Sequence, residues 1–283
     1  MIRRIVALLI AVAGALPLPA VAVYAQQAIL LEIRPKAGDT LHMRLDQNVE
    51  LTGTTRIGDA DSSVTAISSM KLLSRTIVQR SDASGATVLS ITDSVHLSSS
   101  QQQLPPAAIA QVRKALEGQQ VRLRLTPDGA AEIISDPALI PADAQAFIAQ
   151  MPATLPARRV AVGERWTQTM KLPGAARADL TGPLSLRATF RLDSLTRGGR
   201  VAWISMSGEL SRTEGQALPG GGTYRTSGTL EGYLVVDRDR GWMTESTSIV
   251  SVRSVMEPPP GSDAEPMHVR MRITQRLRTL DKR

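Results

Sequence analysis

The sequence predicts an α+β fold: a large, curled, incompletely closed antiparallel β-sheet, or half-barrel, with two short helices on its concave face. Three observations predict it. Apolar and polar residues alternate with period two over most of the chain, short turn-like segments connect the alternating runs, and two helical segments lie in mid-chain. A sheet of roughly ten strands is too large to stay flat and should curl. The helices then provide the natural cover for its concave side.

The first half of the chain contains three clear alternating runs, over residues 41–51, 87–97 and 121–125. In the first, Leu41, Met43 and Leu45 share one phase with Val49 and Leu51, which indicates a strand with one dry and one wet face. The third run ends at residues 127–129, where proline and glycine indicate a turn.

The second half contains five further alternating runs, which predict strands over residues 184–192, 201–210, 223–236, 242–255 and 267–277. The segments 197–200 and 237–241 are short turns, so their flanking strands should be antiparallel neighbours. Residues 216–222, with three consecutive glycines, and residues 253–266, with three consecutive prolines, are expected to be exposed loops.

Two segments depart from this alternation and predict helices near 105–117 and 141–151. Proline suits the first turn of the first helix, and Gly118 suits its exit. Apolar residues three and four positions apart share one face of each helix. The side chains that we expect to line a cavity between helices and sheet are Ile109, Val112, Leu116, Phe147, Ile148 and Met151.

Residues 1–25 resemble a secretory signal peptide. Arg3 and Arg4 precede an apolar run over 5–16, and Val23-Tyr24-Ala25 offers a small-x-small cleavage site, with Ala20-Val21-Ala22 as an alternative. The apolar run is short for a bilayer span, and no comparable run follows it, although an uncleaved anchor is the alternative. We therefore expect residues 26–283 to form a single domain, periplasmic or secreted from a bacterium, with no transmembrane segment.

The composition narrows the possible partners. The chain has no cysteine, so the exported domain must be held together by packing and strand pairing, and it cannot carry a lipid on an N-terminal cysteine. Its net charge is +7, with arginine more frequent than lysine. Few aromatics, an export signal and the lack of a basic helix argue against nucleic acid.

The sequence contains no recognisable catalytic constellation. Its three histidines, His42, His96 and His268, occupy polar positions of separate predicted strands and lack metal-ligand spacing. There is no cysteine nucleophile, and no nucleophile elbow or phosphate-binding loop is present. Residues 59–63 lack the glycine and glutamate of a calcium loop and are better explained as a polar hairpin turn. We expect no enzyme activity, cofactor or metal.

A basic stripe marks the last predicted strand. Its polar face carries His268, Arg270, Arg272, Arg276 and Arg278, whereas the opposite face is apolar. The four arginines could form a docking site for anionic headgroups or an acidic partner. Alternatively, they could pair with acidic residues on the neighbouring strand.

The segment Val160-Ala161-Val162-Gly163-Glu164-Arg165-Trp166, which follows a proline-bounded helix, looks like a segment of uncharacterised exported bacterial proteins of this general shape. Together with the layout of strands and helices, it resembles the LolA-like superfamily of periplasmic lipid and lipoprotein carriers. The resemblance covers most of residues 26–283. It implies a curled open sheet plugged by helices, and reversible binding of acyl chains in an apolar cavity.

The leading expectation is therefore a non-catalytic protein of the cell envelope that binds a hydrophobic or amphipathic ligand, such as a lipid or a lipoprotein acyl chain. The alternative belongs to another class: a structural or interaction protein of the envelope, with a filled core, no small ligand and an envelope protein as partner. Whether the helices leave a cavity or fill it separates the two.

Overall fold

The computed structural model describes residues 28–57, 60–100, 106–135, 153–172, 184–211, 216–217 and 222–280. The expected signal peptide lies outside these residues. The described residues form one helix, α1 (Pro106–Leu116), and the strands β1 (Ile29–Leu30), β2 (Thr40–Ile57), β3 (Ala60–Asp82), β4 (Gly85–Ser99), β5 (Gln120–Leu125), β6 (Ala131–Ile133), β7 (Arg159–Val160), β8 (Arg165–Leu172), β9 (Leu184–Thr196), β10 (Val201–Ser211), β11 (Gln216–Ala217), β12 (Thr223–Asp237), β13 (Trp242–Glu257) and β14 (Met267–Leu280).

Most of these strands form one large sheet of twelve strands, in the order β6-β5-β4-β3-β2-β14-β13-β12-β10-β9-β8, with β11 paired to β12 beside that path. Its pairings are all antiparallel, which confirms the expectation from the short connections. Strands β2 and β14 meet at the centre, so each half of the chain builds one half of the sheet. The edge strands β6 and β8 do not pair with each other, so the sheet is not closed into a barrel.

Strand β3 is the longest strand, with 23 residues, and alternation did not predict it. Apolar residues stand next to each other at Leu72-Leu73 and Ile77-Val78, which breaks the period of two. Register shifts beside Leu73 and Val78 have the same effect, because a bulge moves the following side chains to the other face. The expected loop 216–222 is also partly wrong, since β11 pairs with β12.

The two faces of the sheet differ. We call the face that bears Leu41, Val88, Phe190, Ile204 and Leu234 the core face, because these side chains belong to one buried cluster. The opposite face is the outer face. The core face of β2 also bears Leu41, Leu45, Val49 and Leu51, which confirms the prediction from their shared phase. The pairing of β2 with its two neighbours has no register shift, so these alternate residues all lie on one side of the sheet.

The sheet curls until its two edge regions approach at one end. Strands β5 and β8 are nine strand positions apart, which would separate them by about 43 Å in a flat sheet. Instead, the Thr154 amide donates to the Asp128 carbonyl in the β5–β6 turn at 3.0 Å. The Trp166 indole of β8 donates to the Thr154 carbonyl at 2.9 Å. One residue thus bridges the two sides, which confirms a curled, open sheet.

Two extended segments plug this closed end. Strands β1 and β7 pair with each other, and the segments that contain them bury Leu31, Ile33, Leu155 and Val160. The Ile33 amide donates to the Pro127 carbonyl at 2.8 Å, which ties the plug to the β5–β6 turn. The opposite end, where the β2–β3 and β13–β14 connections lie, is called the open end.

The fold is therefore mostly β, and the expectation of two helices needs correction. Within the described ranges α1 is the one helix, and the segment 141–151 lies outside them. Helix α1 packs mainly against β4. The Val95 amide of β4 donates to the Glu117 carboxylate at 3.0 Å, and the Gly118 amide donates to the Thr92 carbonyl at 2.8 Å. The end of the helix therefore covers the backbone edge of β4 that β5 leaves free.

Candidate functional site

Along the central strands β2 and β3 the core face changes from filled to partly exposed. Near the closed end its side chains are buried by the plug and by each other. Towards the open end the apolar side chains of the central strands are partly exposed: Leu51 is 41% exposed, Val64 is 60% exposed, and Leu45 and Val49 are half-buried. On β2 and β3 the core face towards the open end is thus apolar and only partly buried, whereas Leu210 near the same end of β10 stays buried.

The strand registers align these side chains into rows across the sheet. One row joins Leu72, Leu45 and Leu277, and another joins Val49, Ile273 and Val250. A third joins Leu51 and Met271. We call the resulting surface the apolar strip; its members are Leu45, Val49, Leu51, Met70, Leu72, Val250, Met271, Ile273 and Leu277. In the described part of the chain, the four strands that carry it pack mainly against their neighbours in the sheet.

Polar groups interrupt and border the apolar strip. Gln47 and Gln275 form a polar pair between two apolar rows. Towards the open end, the Ser254 hydroxyl lies 2.9 Å from the Tyr224 hydroxyl and 3.1 Å from the Thr226 hydroxyl. Thr226 and Ser254 are buried, whereas Tyr224 is half-buried. The surface therefore combines a long apolar stretch with hydrogen-bonding groups, as an amphipathic ligand requires.

The six side chains that we expected to line a cavity are only partly described. Ile109 and Leu116 are half-buried on α1, whereas Val112 is 39% exposed. Phe147, Ile148 and Met151 lie outside the described residues. The apolar strip was not foreseen as a binding surface, because alternation shows which face of a strand is apolar but not whether another layer covers it.

The four arginines of the expected docking stripe fall into two pairs. Arg276 donates to the Glu245 carboxylate at 2.8 Å, and Arg278 donates to the Asp46 carboxylate at 3.4 Å. These two are therefore paired with acids on neighbouring strands. Arg270 and Arg272 are exposed and form no ion pair with any described residue.

The Asp46 carboxylate belongs to an ion-pair network on the outer face. Arg44 donates to it at 2.8 Å, and this bond is the main reason why the pKa of Asp46 lies below its usual range. Arg278 lowers the pKa further, although partial burial opposes both effects. A carboxylate held ionised between two guanidinium groups is a structural partner and a poor general acid.

The described residues hold no group of three or more His, Cys, Asp and Glu side chains that could bind a metal ion. His42, His96 and His268 all lie on the outer face, and they are separated along three strands. No helix within the described ranges is both long enough and apolar enough to cross a bilayer.

Two clefts lie away from the apolar strip. The larger, of about 680 Å³, lies at the closed end among mixed charges that include Lys36, Asp39 and Asp239. The second, of about 380 Å³, lies on the outer face beside Trp203 and Arg278. Within the described residues the apolar strip forms an open trough, because no described layer closes over it.

Comparison with solved structures gives a likeness of fold. No protein-family model matches the chain, and no curated protein matches it. A solved structure of lipovitellin, concerned with lipid–protein interactions in that protein, is similar with a TM-score of 0.47 and 11% sequence identity. The likeness covers 87% of this chain, which spans only 25% of the lipovitellin chain. At this TM-score and identity it assigns neither a ligand nor an activity.

Proposed function

We propose that this chain is an exported, non-catalytic protein of the cell envelope, and that it binds the acyl chain of a lipid or lipoprotein on the apolar strip. The observation that carries the proposal is the partial exposure of the strip on the core face, the face that is buried elsewhere in the sheet. The N-terminal sequence, which has the features of a secretory signal peptide, supports the location.

The dimensions of the strip suit an acyl chain. Leu45 and Leu51 bound the strip on β2 and are six residues apart, which corresponds to about 20 Å along the strand. This exceeds the depth of one leaflet, which is half of the hydrocarbon thickness of about 30 Å of a whole bilayer. Burial of about 300 Å² of acyl surface would contribute about 7 kcal/mol before the cost of ordering the chain.

The alternative, a structural envelope protein with a filled core, needs a layer that buries Leu51 and its neighbours. Partial exposure of these side chains favours the ligand-binding function. The two proposals differ in a simple observable, since only a ligand-binding protein should carry or take up a lipid-sized molecule.

The test measures binding of dansyl-undecanoic acid, a fluorescent fatty acid, to the protein purified without detergent. Native mass spectrometry of the same preparation should show a lipid-sized adduct. The double variant Leu51→Gln, Ile273→Gln places two amides on the apolar strip. We expect its affinity for the probe to fall at least tenfold, because the acyl chain would then displace water from polar groups.

The matched control is Ile67→Gln, Leu73→Gln. These residues lie on the outer face and are 40% and 39% exposed, close to the 41% of Leu51. The control should bind the probe as the unaltered protein does. No probe binding by the unaltered protein, or equal loss in both double variants, would overturn the proposal.

A further inference from the structure

Three arginines come together on the outer face near the open end. Arg270 of β14 lies directly opposite Arg253 of β13, and Arg272 follows two residues later on the same face. All three are exposed, and none forms an ion pair or hydrogen bond through its side chain with any described residue. Directly opposite residues have Cβ atoms about 5 Å apart, and the positions of Arg270 and Arg272 are about 7 Å apart. We call these residues the arginine cluster.

The surroundings of the arginine cluster leave its charge largely uncompensated. Like charges directly opposite each other destabilise a sheet, so the Arg253–Arg270 pair destabilises the folded state. Across the strands the cluster faces hydroxyl groups: Thr52, Ser227 and Ser251. Glu50, opposite Arg272, is the one carboxylate in direct register with the cluster among the described residues, and no ion pair joins the two.

We propose that the arginine cluster docks the outer face of this protein on the phosphate headgroups of an anionic lipid bilayer. Guanidinium groups bind phosphate oxygens through paired N–H donors, and neighbouring hydroxyls add further donors. The cluster contains no aromatic or large apolar side chain, which a protein interface normally needs as its anchor. This docking surface goes beyond ligand binding and does not depend on it.

The arginine cluster lies behind the apolar strip, on the other face of the same strand. Arg270 and Arg272 flank Met271, whose side chain belongs to the apolar strip on the other face of β14. A bilayer bound by the arginine cluster would therefore lie within one strand thickness of the proposed acyl-chain site. Arg253 was not part of the stripe expected from sequence, because it lies on another strand and only the register brings it opposite Arg270.

The test is sedimentation of the purified protein with vesicles of phosphatidylglycerol and phosphatidylcholine, against vesicles of phosphatidylcholine alone. The triple variant Arg253→Gln, Arg270→Gln, Arg272→Gln should bind the anionic vesicles about a hundredfold more weakly, since each arginine near an anionic surface contributes about fivefold. Its affinity for dansyl-undecanoic acid should be unchanged, which separates failure of docking from failure of ligand binding.

The control variant changes the net charge equally at exposed arginines elsewhere, Arg122→Gln, Arg165→Gln, Arg187→Gln, and should retain vesicle binding. The variant Glu50→Gln should bind anionic vesicles severalfold more tightly, a gain that misfolding cannot imitate. No preference of the unaltered protein for anionic vesicles, or equal loss in the two triple variants, would overturn the proposal.

Discussion

Gly232 shows how the lack of a single side chain shapes the curled sheet. It lies on the core face of β12, where a Cβ atom would stand 2.1 Å from the Thr247 carbonyl oxygen and 2.6 Å from the Met206 Cε. Its φ is not in the left-handed region, so space rather than torsion requires glycine here. Strands β12 and β13 can approach this closely only because no side chain separates them, as in other strongly coiled sheets.

Replacement of Gly232 by alanine should therefore destabilise the fold. We expect Gly232→Ala to lower the free energy of unfolding in urea by about 2–3 kcal/mol, because the backbone of β13 must move to admit the methyl group. The matched variant is Gly53→Ala, since Gly53 also lies on the core face but has no atom within 4 Å of a built Cβ. That change should stay within about 0.5 kcal/mol, and equal losses would contradict the argument.

At the scale of elements, α1 protects an edge of the sheet. Strand β4 pairs with β5 only through residues 86–91, so the backbone donors and acceptors of its remaining residues face an edge. Unpaired edges invite association with other chains, and a covering helix is one way to prevent it. Here the Glu117 carboxylate, just beyond the helix, accepts from the Val95 amide and from Arg113.

This contact predicts a pH-dependent protection of one amide. The hydrogen bonds from Val95 and then Arg113 lower the pKa of Glu117 below its usual 4.5. A lowered pKa means that the stabilisation is present above pH 4.5 and is lost as the pH falls through the lowered value. Hydrogen exchange corrected for intrinsic rates should therefore show less protection of Val95 at pH 3 than at pH 7.

The variant Glu117→Ala should remove that difference, with weak protection of Val95 at both pH values. Glu132→Ala, at an exposed carboxylate of β6, serves as the control and should leave the difference in place. If Val95 were equally protected in Glu117→Ala and in the unaltered protein, the carboxylate would not be its acceptor.

The whole molecule has two unlike ends. The closed end is held by the plug and by the hydrogen-bonded series from Trp166 through Thr154 to Asp128, which joins opposite sides of the sheet. Trp166 is also buried and stacked on Phe190, with ring centroids 5.7 Å apart. The curl is therefore stabilised at one end, while at the other end the central strands β2 and β3 extend beyond the buried core.

The hydrogen bond from the Trp166 indole to the Thr154 carbonyl, which joins the two sides of the sheet, can be tested by removing its N–H donor. Trp166→Phe keeps an aromatic ring but removes the bond to Thr154, and we expect it to lower the unfolding free energy by about 1–2 kcal/mol. The control is Trp203→Phe, because Trp203 is 39% exposed on the outer face, and its change should stay within about 0.5 kcal/mol. Similar effects in both variants would contradict a special role of Trp166 in closing the sheet.

Alternation identified most strands of the sheet, because a half-buried strand must place its apolar side chains on one face. It failed at β3, where adjacent apolar residues such as Leu72 and Leu73 lie on opposite faces and bulges shift the phase. For the basic stripe, the sequence predicted which residues of β14 share the polar face. It did not predict which residues on other strands those arginines would meet. Arg276 and Arg278 bind acids on other strands, and Arg253 joins Arg270 only through the register.

The sequence by itself determined that this protein is built mainly of antiparallel strands and which side of most strands is apolar, because both depend on neighbours within a few residues. Only the tertiary structure decided that the edges approach through Thr154, that extended segments plug one end, and that the apolar strip stays partly exposed. These features depend on contacts between residues far apart in the chain, and local patterns carry no information about such contacts.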